Sequence, residues 1–156
     1  MENYLYKKAK FDWDPDIRMA NCELDMKSDG VFVGTAFCHE DDMDMCSELT
    51  GQTIAYFRAC ISYYKFLKNN RIKPGLKALK QAFYSMNRSK KFNPDGYETK
   101  ILRSQISLYE EELAGIEDAI DILNQDLKDY INIKDEKYKK MRLWRQGSKE
   151  LADKTE

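Results

Sequence analysis

Apolar and polar positions follow two different periods along this chain, and the change falls near Cys38. Before it the pattern alternates. In residues 17–24, IRMANCEL, one side of a strand would carry Ile17, Met19, Asn21 and Glu23 and the other Arg18, Ala20, Cys22 and Leu24, so the more apolar second set is predicted to face a core. Residues 3–38 read as strands, the first beginning at Tyr4-Leu5-Tyr6 and the third being VFVGTAFC. DPD at 14–16 and KSDG at 27–30 supply the turns, with Gly30 free to take a positive φ. The expected result is a three-stranded antiparallel meander.

Beyond Cys38 the period becomes helical. A short acidic helix is predicted over residues 40–49, with Gly51 as its stop and Thr50 as the cap of the next helix. Ile54, Phe57, Ile61 and Tyr64 then form one apolar stripe, which resumes as Ile72, Leu76, Leu79, Phe83 and Met86 across Pro74-Gly75. That pair predicts a break or kink near residues 70–75, because proline donates no backbone hydrogen bond. After the NPDG turn, where Asp95 and Glu98 have capping-box spacing, Leu102, Ile106, Tyr109, Leu113, Ile116, Ile120, Leu123, Leu127 and Tyr130 alternate by four and three. Four heptads with both core positions apolar predict a long helix, from residue 97 to about 143, in a coiled-coil hairpin with the helix before it.

The fold class is therefore α+β: a small three-stranded antiparallel sheet followed by helices and a long antiparallel helical hairpin. Residues 1–70 would hold the sheet and first helices, 71–145 the hairpin packed on or projecting from it, and 146–156 a flexible tail, together one cooperative domain. The upstream helix is too short to cover the whole seam, which leaves room for a homodimer through the 102–130 heptads.

Composition agrees with a folded chain, 42% of 156 residues being hydrophobic. The first residues carry no apolar signal-peptide core, and no stretch has the roughly 18 apolar residues of a membrane span, so a soluble, intracellular protein without a membrane partner is expected. Cysteines at 22, 38, 46 and 60 have no compact metal-ligand spacing and are expected as reduced, mostly buried thiols. Cys38-His39 lacks the third group that a nucleophilic pair needs. The acidic run after it lacks calcium-loop spacing. No catalytic residue, metal site or cofactor is predicted, and the protein is read as a non-enzyme.

Charge changes the picture most. The net charge of −1 conceals segregation: residues 1–48 carry −7, residues 49–94 carry +10 without a single acid, residues 95–136 carry −8 and residues 137–156 carry +4. The basic block, Arg58, Lys65, Lys68, Arg71, Lys73, Lys77, Lys80, Arg88, Lys90 and Lys91, could track a phosphate backbone with tyrosines stacking beside it. It could equally be neutralised internally, by pairing across the hairpin with the acidic helix. The acidic clusters Asp12, Asp14 and Asp16, then Glu40, Asp41, Asp42 and Asp44, then Glu110, Glu111 and Glu112, are candidates for protein binding in a basic nucleic-acid channel.

The run GTAFCHEDDMDMCSELTGQTIAYFRACISYYK, with IKPGLKAL, FNPDGYE and YINIKDEKYKKMR, resembles small uncharacterised proteins of phages and prophages, particularly of Gram-positive bacteria. The shared elements are a G-x-A strand (Gly34, Ala36), an H-x-D-D helix start (His39, Asp41, Asp42) and a G-x-x-I-A-x-x-R-A helix (Gly51, Ile54, Ala55, Arg58, Ala59); Glu40 stands where relatives favour proline. This resemblance implies an accessory protein in a bacterial host cytoplasm. Its partner would be a host protein or ribonucleoprotein complex, such as a CRISPR or other defence nuclease that it binds and inhibits. The alternative is direct DNA or RNA binding through the basic block at 49–94.

Overall fold

The computed structural model describes residues 2–39, 42, 46–89 and 91–153, with side chains for 4–39, 42, 46–89 and 91–148. The fold is α+β, with the order α1 (Glu2–Tyr6), β1 (Ala9–Asp14), β2 (Met19–Asp25), β3 (Val31–Phe37), α2 (Glu48–Phe66), α3 (Lys73–Asn87) and α4 (Tyr97–Asp153). Two compact units divide it: residues 1–60 with 123–156, and residues 61–122.

In the first unit the strands form the expected meander, β1-β2-β3, with Phe11 opposite Cys22 and Cys22 opposite Gly34. Alternation along β2 buries Ala20, Cys22 and Leu24 completely, while Glu23 and Asp25 face solvent. Burying a leucine side chain such as Leu24 contributes about 2 kcal/mol. Arg18, assigned to the same face by alternation, lies before β2 in the turn with φ 51°. Asp14 holds that turn, its Oδ1 accepting from the amides of Asp16 (2.9 Å) and Ile17 (3.3 Å). Gly30 takes φ 97°, as its turn requires.

Helix α2 covers the sheet through a stripe of small residues, Gly51, Ala55 and Ala59, spaced four apart on one helix face. A Cβ on Gly34 would meet backbone atoms of Ala55 and Ala59, so strand and helix backbones touch there. At Gly51 a Cβ would come within 2.9 Å of the Ala20 methyl and 3.0 Å of the Trp13 ring. Cys60 and Ala59 complete the buried layer. Along the same helix, Phe57 meets Tyr130 of α4 with ring centroids 6.5 Å apart.

Two local expectations are corrected. Tyr4-Leu5-Tyr6 belongs to α1: one turn buries Leu5 and leaves both tyrosines exposed, which mimics strand alternation over three residues. Gly51 does not end a helix, and Thr50 is not the cap. Helix α2 starts at Glu48, with Ser47 Oγ accepting from the Thr50 amide at 3.2 Å, and Gly51 is needed for approach to the sheet. Of the acidic helix expected over residues 40–49, only Asp42 and residues 46–49 are described: the Asp42 amide donates to His39 O, its carbonyl accepts from the Cys46 amide, and Glu48 and Leu49 already belong to α2. Its other acids, Glu40, Asp41 and Asp44, lie outside the described residues.

The cysteine expectation also fails in part. Cys38 and Cys46 form a disulfide, with their Cα atoms 6.2 Å apart. Their separation of eight residues gave no ligand spacing, yet Asp42 bonds both to His39, the neighbour of Cys38, and to Cys46 itself. Cys22 and Cys60 are buried thiols, as expected.

In the second unit Pro74 causes no break. Residues 67–72 widen into a π-helix, the Lys73 amide reaching Lys68 O, and the helical run continues into α3 with Pro74 in its first turn, where a missing amide is tolerated. Gly75 admits the ring of Tyr109 from α4, 2.5 Å from the place of an added Cβ. The core is Ile72 against Ile116 and Ile120, flanked by Tyr64, Leu67, Tyr109 and Leu113. These are the predicted heptad positions, filled from within the chain. The NPDG turn is held by Asn93, whose Oδ1 accepts from the Asp95 amide and whose carbonyl accepts from the buried Thr99 hydroxyl at 2.7 Å. Asp95 and Glu98 do not set it; α4 begins at Tyr97 and runs ten residues past the expected end.

Candidate functional site

Members of the basic block take different roles. Arg58 of α2 uses a guanidinium N–H on the Thr35 carbonyl, a bond between helix and strand β3. Within the second unit Lys68 pairs with Glu117 at 2.7 Å and Lys80 with Glu110 at 2.6 Å, which fixes the antiparallel register of the hairpin. The hydrogen bond from Lys68, and then its charge, hold the Glu117 carboxyl below its usual range. Internal neutralisation therefore operates at two named pairs.

Other bases of the block stay at the surface, and the paired Lys80 shares a groove with two of them. Lys73, Lys77 and Lys80 line an open groove on α3 with Leu76 and Tyr84. Arg88 lies over the Tyr84 ring at 4.5 Å. Lys65, Arg71 and Lys91 are exposed. Lys90 lies outside the described residues. The groove offers cations beside an exposed aromatic face, which is the equipment for a phosphate chain or an acidic peptide.

The acidic candidates divide in the same way. Asp12 and Asp16 are exposed, whereas Asp14 spends its Oδ1 on the turn. Asp42 turns inward: it is 8% exposed and accepts from Arg142 Nη1 at 2.7 Å, an ion pair within the first unit. Glu110 is paired with Lys80, while Glu111 and Glu112 are exposed on α4.

One concavity was not anticipated from sequence. A cavity of about 200 Å³ in the first unit brings together Trp13, Arg18, His39, Arg58, Lys134 and Tyr138. These residues come from four separate segments, and no spacing in the sequence links them. Asp42 and Asp135 line it as well, so the cavity combines charges of both signs with aromatic walls and has room for a small polar group. Among the described residues, no three His, Cys, Asp or Glu side chains converge as a metal cluster. No helix among them is long and apolar enough to cross a membrane. No protein-family model, curated protein or solved structure matches the chain.

Proposed function

We propose that this is a non-enzymatic phage or prophage accessory protein that binds and inhibits a host nucleic-acid-handling complex, such as a CRISPR or other defence nuclease, in the bacterial host cytoplasm. The observation that supports this reading is the division of charge in the second unit. Basic α3 lies against acidic α4, two ion pairs consume one acid and one base each, and exposed bases remain along α3 while exposed acids gather on α4 beyond Lys100 and Arg103, at Glu111, Glu112 and Asp118. A nucleoprotein complex offers complementary surfaces of both signs, and such complementarity speeds association and selects the partner. The heptad seam argues against a homodimer through residues 109–120, because Ile72 and its neighbours already cover it.

The groove of Lys73, Lys77 and Lys80 beside Tyr84 favours a second reading, direct nucleic-acid binding. Capture of partners by the tagged protein from an infected or prophage-bearing host, with identification of the bound chains, tests the first. Retrieval of a nuclease or other nucleic-acid enzyme, and loss of its activity on adding purified protein, is the expected result. If nucleic acid alone is retained, and labelled DNA or RNA binds the purified protein with a steep salt dependence, the second reading replaces it.

A further inference from the structure

Helix α4 carries a second apolar stripe, distinct from the seam that packs on the upstream helices. Ile101, Leu108, Gly115 and Ile122 recur every seven residues, so they share one line along the helix. Leu108 is 61% exposed and Ile122 60% exposed, and beyond the local helix backbone no described atom lies within 4 Å of the place of a Cβ on Gly115. The intervening positions three and four residues on are Ser104 and Gln105, Glu111 and Glu112, Asp118 and Ala119. Between residues 104 and 127 there are seven acids and no lysine or arginine. The stripe is thus a narrow apolar line framed only by negative charge.

Two features limit what can lie on it. Gly115 weakens a helix interior, and no neighbour among the described residues requires its missing side chain; it leaves a notch where another helix can approach closely. A second copy is a poor occupant. Crossed antiparallel at Gly115 it would set Glu112 against Asp118, and in parallel register Glu111 would face itself, repulsions that an apolar line one residue wide does little to offset. A helix with apolar residues at the same spacing and lysine or arginine beside them meets every group on the face favourably.

We infer that the Ile101–Leu108–Gly115–Ile122 face of α4 is a docking surface for a basic amphipathic helix of a partner protein. This rests on the reading of the protein as a binding module and adds the chemistry of its partner. One apolar residue per two turns gives contact of moderate strength, so charge supplies much of the selectivity, and salt weakens it.

The test uses the full chain and two labelled 21-residue helical peptides with leucine at heptad spacing, one framed by lysine and one by glutamate, followed by fluorescence anisotropy at low and high salt. The lysine-framed peptide is expected to bind and the glutamate-framed one to fail. Leu108→Lys with Ile122→Lys, and separately Glu111→Lys with Asp118→Lys, should each weaken binding by about tenfold or more. Both pairs are exposed, and circular dichroism of the variants should be unchanged. The inference is overturned if the lysine-framed peptide does not bind, if both peptides bind equally, if Leu108→Lys with Ile122→Lys binds as wild type, or if sedimentation shows a dimer that this variant dissolves. Failure of the functional reading looks different: peptide binding would persist while host capture retrieves no nucleic-acid enzyme.

Discussion

Arg142 donates through Nη1 to Asp42 Oδ1 at 2.7 Å, joining positions one hundred residues apart. The carboxylate is nearly buried and the guanidinium half-exposed, so the pair ties the turn after β3 to the late part of α4 within the first unit. Removing the base leaves the acid without its charged partner in a dry setting. Arg142→Ala is expected to lower unfolding stability by about 1–3 kcal/mol, and Asp42→Asn by less because the amide keeps a polar contact. Urea titration of the two variants checks the order; equal stability of Arg142→Ala and wild type would remove this account.

The four cysteines should separate by chemistry. Burial pushes the Cys22 thiol up to about 12, with added repulsion from Cys60 and Glu23, and burial raises Cys60 to about 11. Both therefore remain protonated and unreactive at neutral pH. In the native protein a maleimide should label none of the four before reduction and only Cys38 and Cys46 after gentle reduction, as read by mass spectrometry.

Opening the Cys38–Cys46 bond releases a short loop. On the chain-entropy model its loss should cost about 2–3 kcal/mol, visible as a lower melting temperature in a reductant. Cys38→Ser with Cys46→Ser should show the same reduced value, with or without reductant. A reductant effect that persists in this double variant would assign the change elsewhere.

Two glycines should respond in opposite directions. At Gly34 an added methyl runs into the α2 backbone at Ala55 and Ala59, atoms that cannot swing aside. Gly34→Ala is expected to cost at least about 3 kcal/mol. At Gly115 the methyl meets open space in a long helix, so Gly115→Ala should stabilise by about 0.5–1 kcal/mol. Thermal unfolding of both variants gives the comparison.

Acid should loosen the hairpin at one definable place. The folded Glu117 carboxyl titrates below its unfolded value because Lys68 donates to it and attracts it. A depressed carboxyl contributes stability that is present above the unfolded value, near pH 4.3, and is lost as pH falls through the folded one. Wild type should therefore lose more stability than Glu117→Gln on going from roughly pH 5 to pH 3. Because the pair sits at the surface, raised salt should shrink the difference.

Period was the strongest signal in the chain. Alternation in β2 identified Ala20, Cys22 and Leu24 as the buried set, and the four-three spacing from Leu102 onward identified the side of α4 that meets Ile72. Both survive because period depends on backbone geometry alone. Signals shorter than a period misled: Tyr4-Leu5-Tyr6 alternates within a single helical turn, and Gly51, a stop by propensity, sits inside α2 because the sheet needs its missing side chain. The charge blocks were plain in the sequence, but their fate was not.

Local residue order by itself determined the α+β class, the meander with its turns, the long acidic helix and its sheltered seam. Tertiary structure alone decided that Asp42 turns inward to Arg142, that Cys38 meets Cys46, and that Lys68 and Lys80 find Glu117 and Glu110 while Lys73 and Lys77 stay exposed. The physical reason is range. Helical and strand periods are properties of neighbouring residues, whereas an ion pair, a disulfide or an uncovered stripe depends on which distant segment the packed chain brings within a few ångströms.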